Sequence, residues 1–190
     1  MILPGLYYDS ISTYKQSLQL DPKNLNALVG MASALSALER YDEAVQYYDE
    51  ALLVDSNNDN ARNGLINLWI KQGNFEVRFF YFEPALVFFD KALALDPVNL
   101  NALLAKAGTY TECGKTKQKH YNTAEDIFEE ILHLYPDNTQ ALVGMGYVLN
   151  EQLEFERALP YYERALEIDP DLLNAQRGKS YSLRNINSMQ

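Results

Sequence analysis

Chemistry at a protein site needs reactive side chains at workable spacing, and this chain offers few. Its 190 residues include two histidines, His120 and His133, and one cysteine, Cys113. Neither histidine has Cys, Asp or Glu at metal-ligand spacing, so neither a metal nor a cofactor is expected. Cys113 has no nearby histidine in sequence to act as its base. Placed before Gly114, it reads as an ordinary small residue at a helix end. Gly144-Met145-Gly146 is at best half of a phosphate-cradling loop. Carboxylates are numerous, but residues such as Asp42, Glu43, Asp49 and Glu50 read as a solvated helix face. With no catalytic constellation, the chain reads as a non-enzyme.

Two other stretches stand out for contact chemistry. Phe75, Val77, Phe79, Phe80, Tyr81 and Phe82 crowd into NFEVRFFYFEP. Lys115, Lys117, Lys119 and His120 crowd into KTKQKH, in a chain of net charge −10. Their meaning depends on the elements that carry them.

Those elements repeat. Five sixteen-residue blocks occur at 7–22, 41–56, 82–97, 121–136 and 155–170. Each opens on an aromatic: Tyr7, Tyr41, Phe82, Tyr121 or Phe155. Three residues on stands Ser10, Ala44, Ala85, Ala124 or Ala158, and four further on Tyr14, Tyr48, Phe89, Phe128 or Tyr162. Then comes Ser17, Ala51, Ala92, Ile131 or Ala165. These offsets mark one face of an α-helix. Pro closes four of the five blocks and Ser56 the other; Pro cannot continue a helix. Between the blocks recurs a second helical stretch. Its third residue is Ala27, Ala61, Ala102, Ala141 or Ala175, and its sixth is Gly30, Gly64, Ala105, Gly144 or Gly178. Its eighth is Ala32, Ala107, Gly146 or Ser180, against Ile66 in one copy. Small residues at these places let a neighbouring helix approach closely, and a regular alternation of two helices means a solenoid.

The two-helix unit resembles the tetratricopeptide repeat. The match lies in the small residues at its eighth, twentieth and twenty-seventh places, the large residue at the twenty-fourth and Pro at the thirty-second. The chain departs from the family at Ser56, and at Leu28, Arg62, Leu103 and Leu142, where Trp is frequent. The resemblance implies an all-α fold: a right-handed superhelical α-solenoid of antiparallel helix pairs, about ten helices in a single domain. Residues 1–24 would be a half repeat holding only a second helix, after a turn at Pro4-Gly5. Full repeats would span 25–58, 59–99, 100–138 and 139–172, and 173–190 a capping helix and tail. The second repeat carries seven extra residues near 75–81 and the third carries five near 116–120. Both insertions are expected in the turn between the paired helices, the first after Gly73-Asn74, so they should be neighbours along one edge. The aromatic insertion either folds back as an extra helical turn or forms a sticky surface for a partner or a second copy. The basic one is either a solvated loop or a dock for an acidic segment.

The resemblance also implies a concave groove, lined by the first helices, that holds a peptide segment or helix of another protein. Its places, carried over residue by residue, include Asn26, Ser33, Asn60, Asn63, Asn67, Lys71 and Asn101. Further along they include Gln140, Tyr147, Asn174, Arg177 and Tyr181. Val29, Ala37, Leu104, Gly108, Glu112, Val143 and Glu151 complete the set. An amide recurs at the second place, and amides both donate to and accept from a peptide backbone. The same places lie near helix starts, where Asn is common for local reasons. The set with which some family members grip a terminal carboxylate is replaced here by Val29, Ser33, Gly64, Asn101 and Ala105. An acidic chaperone tail is therefore not the expected ligand.

Composition bounds the partners. A net charge of −10 argues against nucleic acid and favours a basic partner segment. One cysteine fits a reducing, cytoplasmic setting. No apolar run is long enough to span a membrane, and MILPGLYY lacks the pattern of a signal peptide. The leading expectation is an adaptor that binds another protein. The alternatives are a homo-oligomeric scaffold, joined through the first helix or the aromatic insertion, and a substrate-presenting segment of a larger enzyme.

Overall fold

The computed structural model describes residues 4–189. Those residues form ten helices and no strand: α1 (Pro4–Leu20), α2 (Leu25–Ala37), α3 (Tyr41–Val54), α4 (Asp59–Arg78) and α5 (Phe82–Leu95), then α6 (Leu100–Gly114), α7 (Lys119–Leu134), α8 (Thr139–Glu151), α9 (Phe155–Ile168) and α10 (Leu173–Met189). Each helix packs on the next. The even-numbered helices also touch in succession, α2 on α4, α4 on α6, α6 on α8 and α8 on α10. Among the described residues the backbones of the odd-numbered helices do not approach one another in this way; α7 and α9 meet only at the end of long side chains, in the 2.6 Å ion pair of Glu125 with Arg157. The ribbon is therefore tighter on the even side, and the array curves with the even helices inside.

Local chemistry sets the helix starts. Asn24 accepts a hydrogen bond from the Ala27 N–H at 2.9 Å, Asn58 from Ala61 at 2.9 Å, Asn99 from Ala102 at 3.2 Å and Asn138 from Ala141 at 2.8 Å. Each such cap is worth about 1 kcal/mol. The helix pairs then lock through the small column. A Cβ on Gly30, Gly64, Gly144 or Gly178 would sit 2.2–2.4 Å from the ring of Tyr14, Tyr48, Phe128 or Tyr162 on the preceding odd helix. Only a residue without a side chain allows that approach.

The aromatic insertion is absorbed by helix. α4 has 20 residues where α2 and α8 have 13, seven more. Seven residues make nearly two turns at 3.6 per turn, so the inward face keeps its register. Ile66, the odd residue of the small column, is followed seven places later by Gly73. There a Cβ would lie 2.4 Å from the ring of Phe89, on the partner helix α5. The turn expected at Gly73-Asn74 is thus helix, and it falls at Phe79–Tyr81 instead. It copies the ordinary turn: Phe80 has φ 61°, as Glu39 (61°) and Leu153 (64°) do in the first and fourth pairs. Pro84 lies in the first turn of α5, where its missing N–H costs nothing.

The basic insertion cannot be absorbed this way, because five residues rotate a helix face by roughly 140°. It is divided: α6 and α7 are each two residues longer than α2 and α3, and the connecting loop is Lys115–Gln118. The ends also differ from expectation. Pro4-Gly5 begins α1 rather than forming a turn, and the last helix runs on to Met189. Two core clusters result, one on α1–α4 and one on α6–α9 that reaches Ala175 of α10. Ile66, Ala92 and Ala102 form a small bridge between them.

Candidate functional site

The inner face is uneven. An open cavity of about 860 Å³ lies across α6, α8 and α10, floored by Phe128 of α7 and Tyr162 of α9. Of the residues expected in a groove, Gln140, Tyr147, Asn174, Arg177 and Tyr181 line it, with Gly108, Glu112, Val143 and Glu151. The remaining expected residues do not. Asn26, Ser33, Asn60, Asn63, Asn67, Lys71 and Asn101 are exposed on α2, α4 and α6 outside the cavity. Ser33 is hydrogen-bonded to the Tyr48 hydroxyl at 3.0 Å, and the Lys71 ammonium lies 5.2 Å from the centre of the Tyr41 ring. Capping falls to Asn24, Asn58, Asn99 and Asn138, so the amides two places later, Asn26, Asn60, Asn101 and Gln140, keep their side chains exposed.

A buried network braces the cavity floor. Asn150 donates to the Tyr162 hydroxyl at 3.1 Å, and the Ser182 hydroxyl donates to the Asn150 Oδ1 at 2.7 Å. Three helices, α8, α9 and α10, are thereby fixed to one another. Burial holds the Tyr162 phenol well above its ordinary range. Nearby, the Tyr121 hydroxyl donates to Glu151 at 3.2 Å. Its pKa is pushed up to about 12, by burial first and then by the Glu151 charge. Tyr147 is raised for the same two reasons. These phenols stay neutral near pH 7 and offer hydrogen bonds rather than charge. Lys115 holds Glu112 through bonds of 2.7 and 2.9 Å, whereas Arg177 has no ion pair among the described residues. Asn150 escaped the sequence reading. The only signal was a twelfth place that is polar in most copies, Ser36, Thr111, Asn150 and Arg184, which helix register alone cannot distinguish from surface.

At the insertions, Phe75, Phe79, Phe80 and Tyr81 are all exposed, Phe80 by 75%. Phe75 and Phe79 lie 5.0 Å apart between ring centres, and Phe80 meets Phe82 edge-on at 6.1 Å. Lys117 and Lys119 are exposed, while His120 is half-buried and stacked on Tyr110 at 5.7 Å. Cys113 is buried, and burial raises its thiol pKa, with Glu83 adding to the shift and Lys117 opposing it. A protonated, buried thiol is a poor nucleophile. Among the described residues no cluster of three His, Cys, Asp or Glu could hold a metal, and no helix is long and apolar enough to cross a membrane.

Models of the tetratricopeptide repeat match residues 5–54 and 139–172. The fold agrees: YrrB, described as a repeat protein of this kind with an unusual peptide-binding site, superposes with a TM-score of 0.61 at 20% identity, covering 93% of this chain and 84% of that one. The chain belongs to the tetratricopeptide-repeat family. Among solved repeat domains, the first one of Spaghetti (RPAP3), bound to the HSP90 peptide SRMEEVD, superposes at TM-score 0.57 and 20% identity, over 64% of this chain and 93% of that one. Human tetratricopeptide repeat protein 6 is 32% identical over 102 residues, 52% of this chain. The human protein O-mannosyl-transferase TMTC1 is 25% identical over 170 residues, 88% of this chain. The matches span only 19% and 18% of those two relatives.

Proposed function

We propose that this repeat protein is a non-catalytic adaptor that holds a peptide or helical segment of another protein in the inner cavity across α6, α8 and α10. The carrying observation is the cavity itself. Its volume of about 860 Å³ falls within the roughly 300–1,000 Å³ of small-ligand pockets, and its open form suits a segment of chain. Tyr147 and Tyr181 offer flat apolar area with a polar tip, which costs little side-chain entropy on binding. Gln140 and Asn174 can pair with the backbone of any sequence. The peptide-binding site described for YrrB and the peptide bound to the Spaghetti (RPAP3) repeat domain support this reading. The match to a transferase over most of the chain supports a second setting for the same groove, in which it presents a protein substrate to a catalytic domain.

A displayed library of random twelve-residue peptides, selected on the 190-residue chain, tests the proposal. Enriched peptides should bind a Tyr147→Ala/Tyr181→Ala variant at least about tenfold more weakly. Enrichment of nothing, or equal binding to that variant, overturns it.

A further inference from the structure

The groove does not explain the aromatic tip of α4 and α5. We infer that this tip is the contact of a two-fold dimer of the chain, tip against tip. Phe75, Phe79, Phe80 and Tyr81 are each more than half exposed. At about 150–250 Å² per aromatic side chain, they leave roughly 500 Å² of apolar surface in one place. That is near the upper end of what a monomer carries on a single patch, about 300–600 Å². Doubled across a two-fold axis it reaches the roughly 1,000 Å² at which specific interfaces begin, before any flanking residue is counted. Charge points to the same occupant. The chain carries −10 overall, so most faces of two copies repel. The tip carries both signs, Arg78 with Glu76 and Glu83, and a two-fold axis lets Arg78 of one copy meet a carboxylate of the other.

None of the tip residues lines the cavity across α6, α8 and α10, so both cavities of a dimer stay open. The dimer stands whether or not the groove binds peptide. If it does, the pair is bivalent toward a partner with two copies of the segment.

Light scattering at two concentrations about thirtyfold apart, within the usual micromolar range of such dimers, provides the test. The wild-type mass should rise from 21.7 kDa to twice that value and no further. Phe79→Ser/Phe80→Ser should shift the monomer–dimer midpoint by at least about thirtyfold, with an unchanged helical circular-dichroism signal because both side chains are exposed. Three results overturn the inference: a constant 21.7 kDa, a mass that keeps growing past the dimer, or a dimer unaffected by the substitutions. Binding of a monomeric chain to phosphatidylcholine–phosphatidylserine vesicles, lost in the same variant, would assign the tip to a lipid surface instead.

Discussion

The two halves of the inner face are built alike and lined differently. In both, asparagine caps start inner helices (Asn24 and Asn58 in the first half, Asn138 in the second) and glycines seat the aromatics of the outer helices: Gly30 and Gly64 in the first half, Gly144 and Gly178 in the second. The difference lies at the ninth place of the inner helices. α2 and α4 put Ser33 and Asn67 there, whereas α8 and α10 put Tyr147 and Tyr181, with Gly108 opening the wall at α6. The long α4 separates the halves and thins the core between them to Ile66, Ala92 and Ala102. A solenoid can thus keep one scaffold throughout while a few places decide where a cavity forms.

A shared scaffold means that the glycine column should be equally intolerant in both halves. Gly64→Ala and Gly178→Ala should each destabilise by about 2–3 kcal/mol in denaturant unfolding, since the new Cβ would press on Tyr48 or Tyr162. Gly108→Ala is the contrast. Nothing lies within 4 Å of its Cβ site, so it should gain up to about 1 kcal/mol from helix propensity. A loss at Gly108 comparable to Gly178 would break the distinction between scaffold and lining.

Polar bracing should separate the halves by a smaller margin. Asn150→Leu leaves the buried Tyr162 hydroxyl without its Asn150 partner and Ser182 with only the Gly178 carbonyl at 3.0 Å, and should cost about 2 kcal/mol. Ser33→Ala removes one bond from a more exposed Tyr48 contact and should cost about 0.5 kcal/mol. Equal costs would mean that the second half is no more tightly braced than the first.

The weakest effect is in pH. Tyr121 and Tyr162 have raised pKa values in the folded chain, so the neutral phenol is what the fold favours. Their stabilising contribution is complete below the unfolded tyrosine value near 10 and drains away as pH rises from there through about 12. Unfolding free energy should therefore hold steady up to about pH 9.5 and decline above it. Tyr121→Phe should make that decline shallower, an outcome readable from urea midpoints at pH 9 and pH 11.

Much of the architecture was legible because its causes are local and periodic. The aromatic and small columns predicted every helix pair, and Ile66 followed seven residues later by Gly73 even encodes how the insertion is absorbed. What the columns hid was depth. Asn60 and Gln140 occupy the same place of their helices, yet only Gln140 lines a cavity. Register tells which way a side chain faces, while the cavity depends on the size of neighbours on two other helices. The turn at Gly73-Asn74 misled for a related reason: those residues favour turns, but the packing of Gly73 on Phe89 rewards helix.

Hydrogen–deuterium exchange with and without a library-selected peptide tests the central claim most directly. New protection should appear in α8 and α10 and at the cavity side of α6, with α2 and the outer helices α3 and α5 unchanged. Protection concentrated on α2 and α4, or on the outer helices, would contradict the assignment of the groove to the second half.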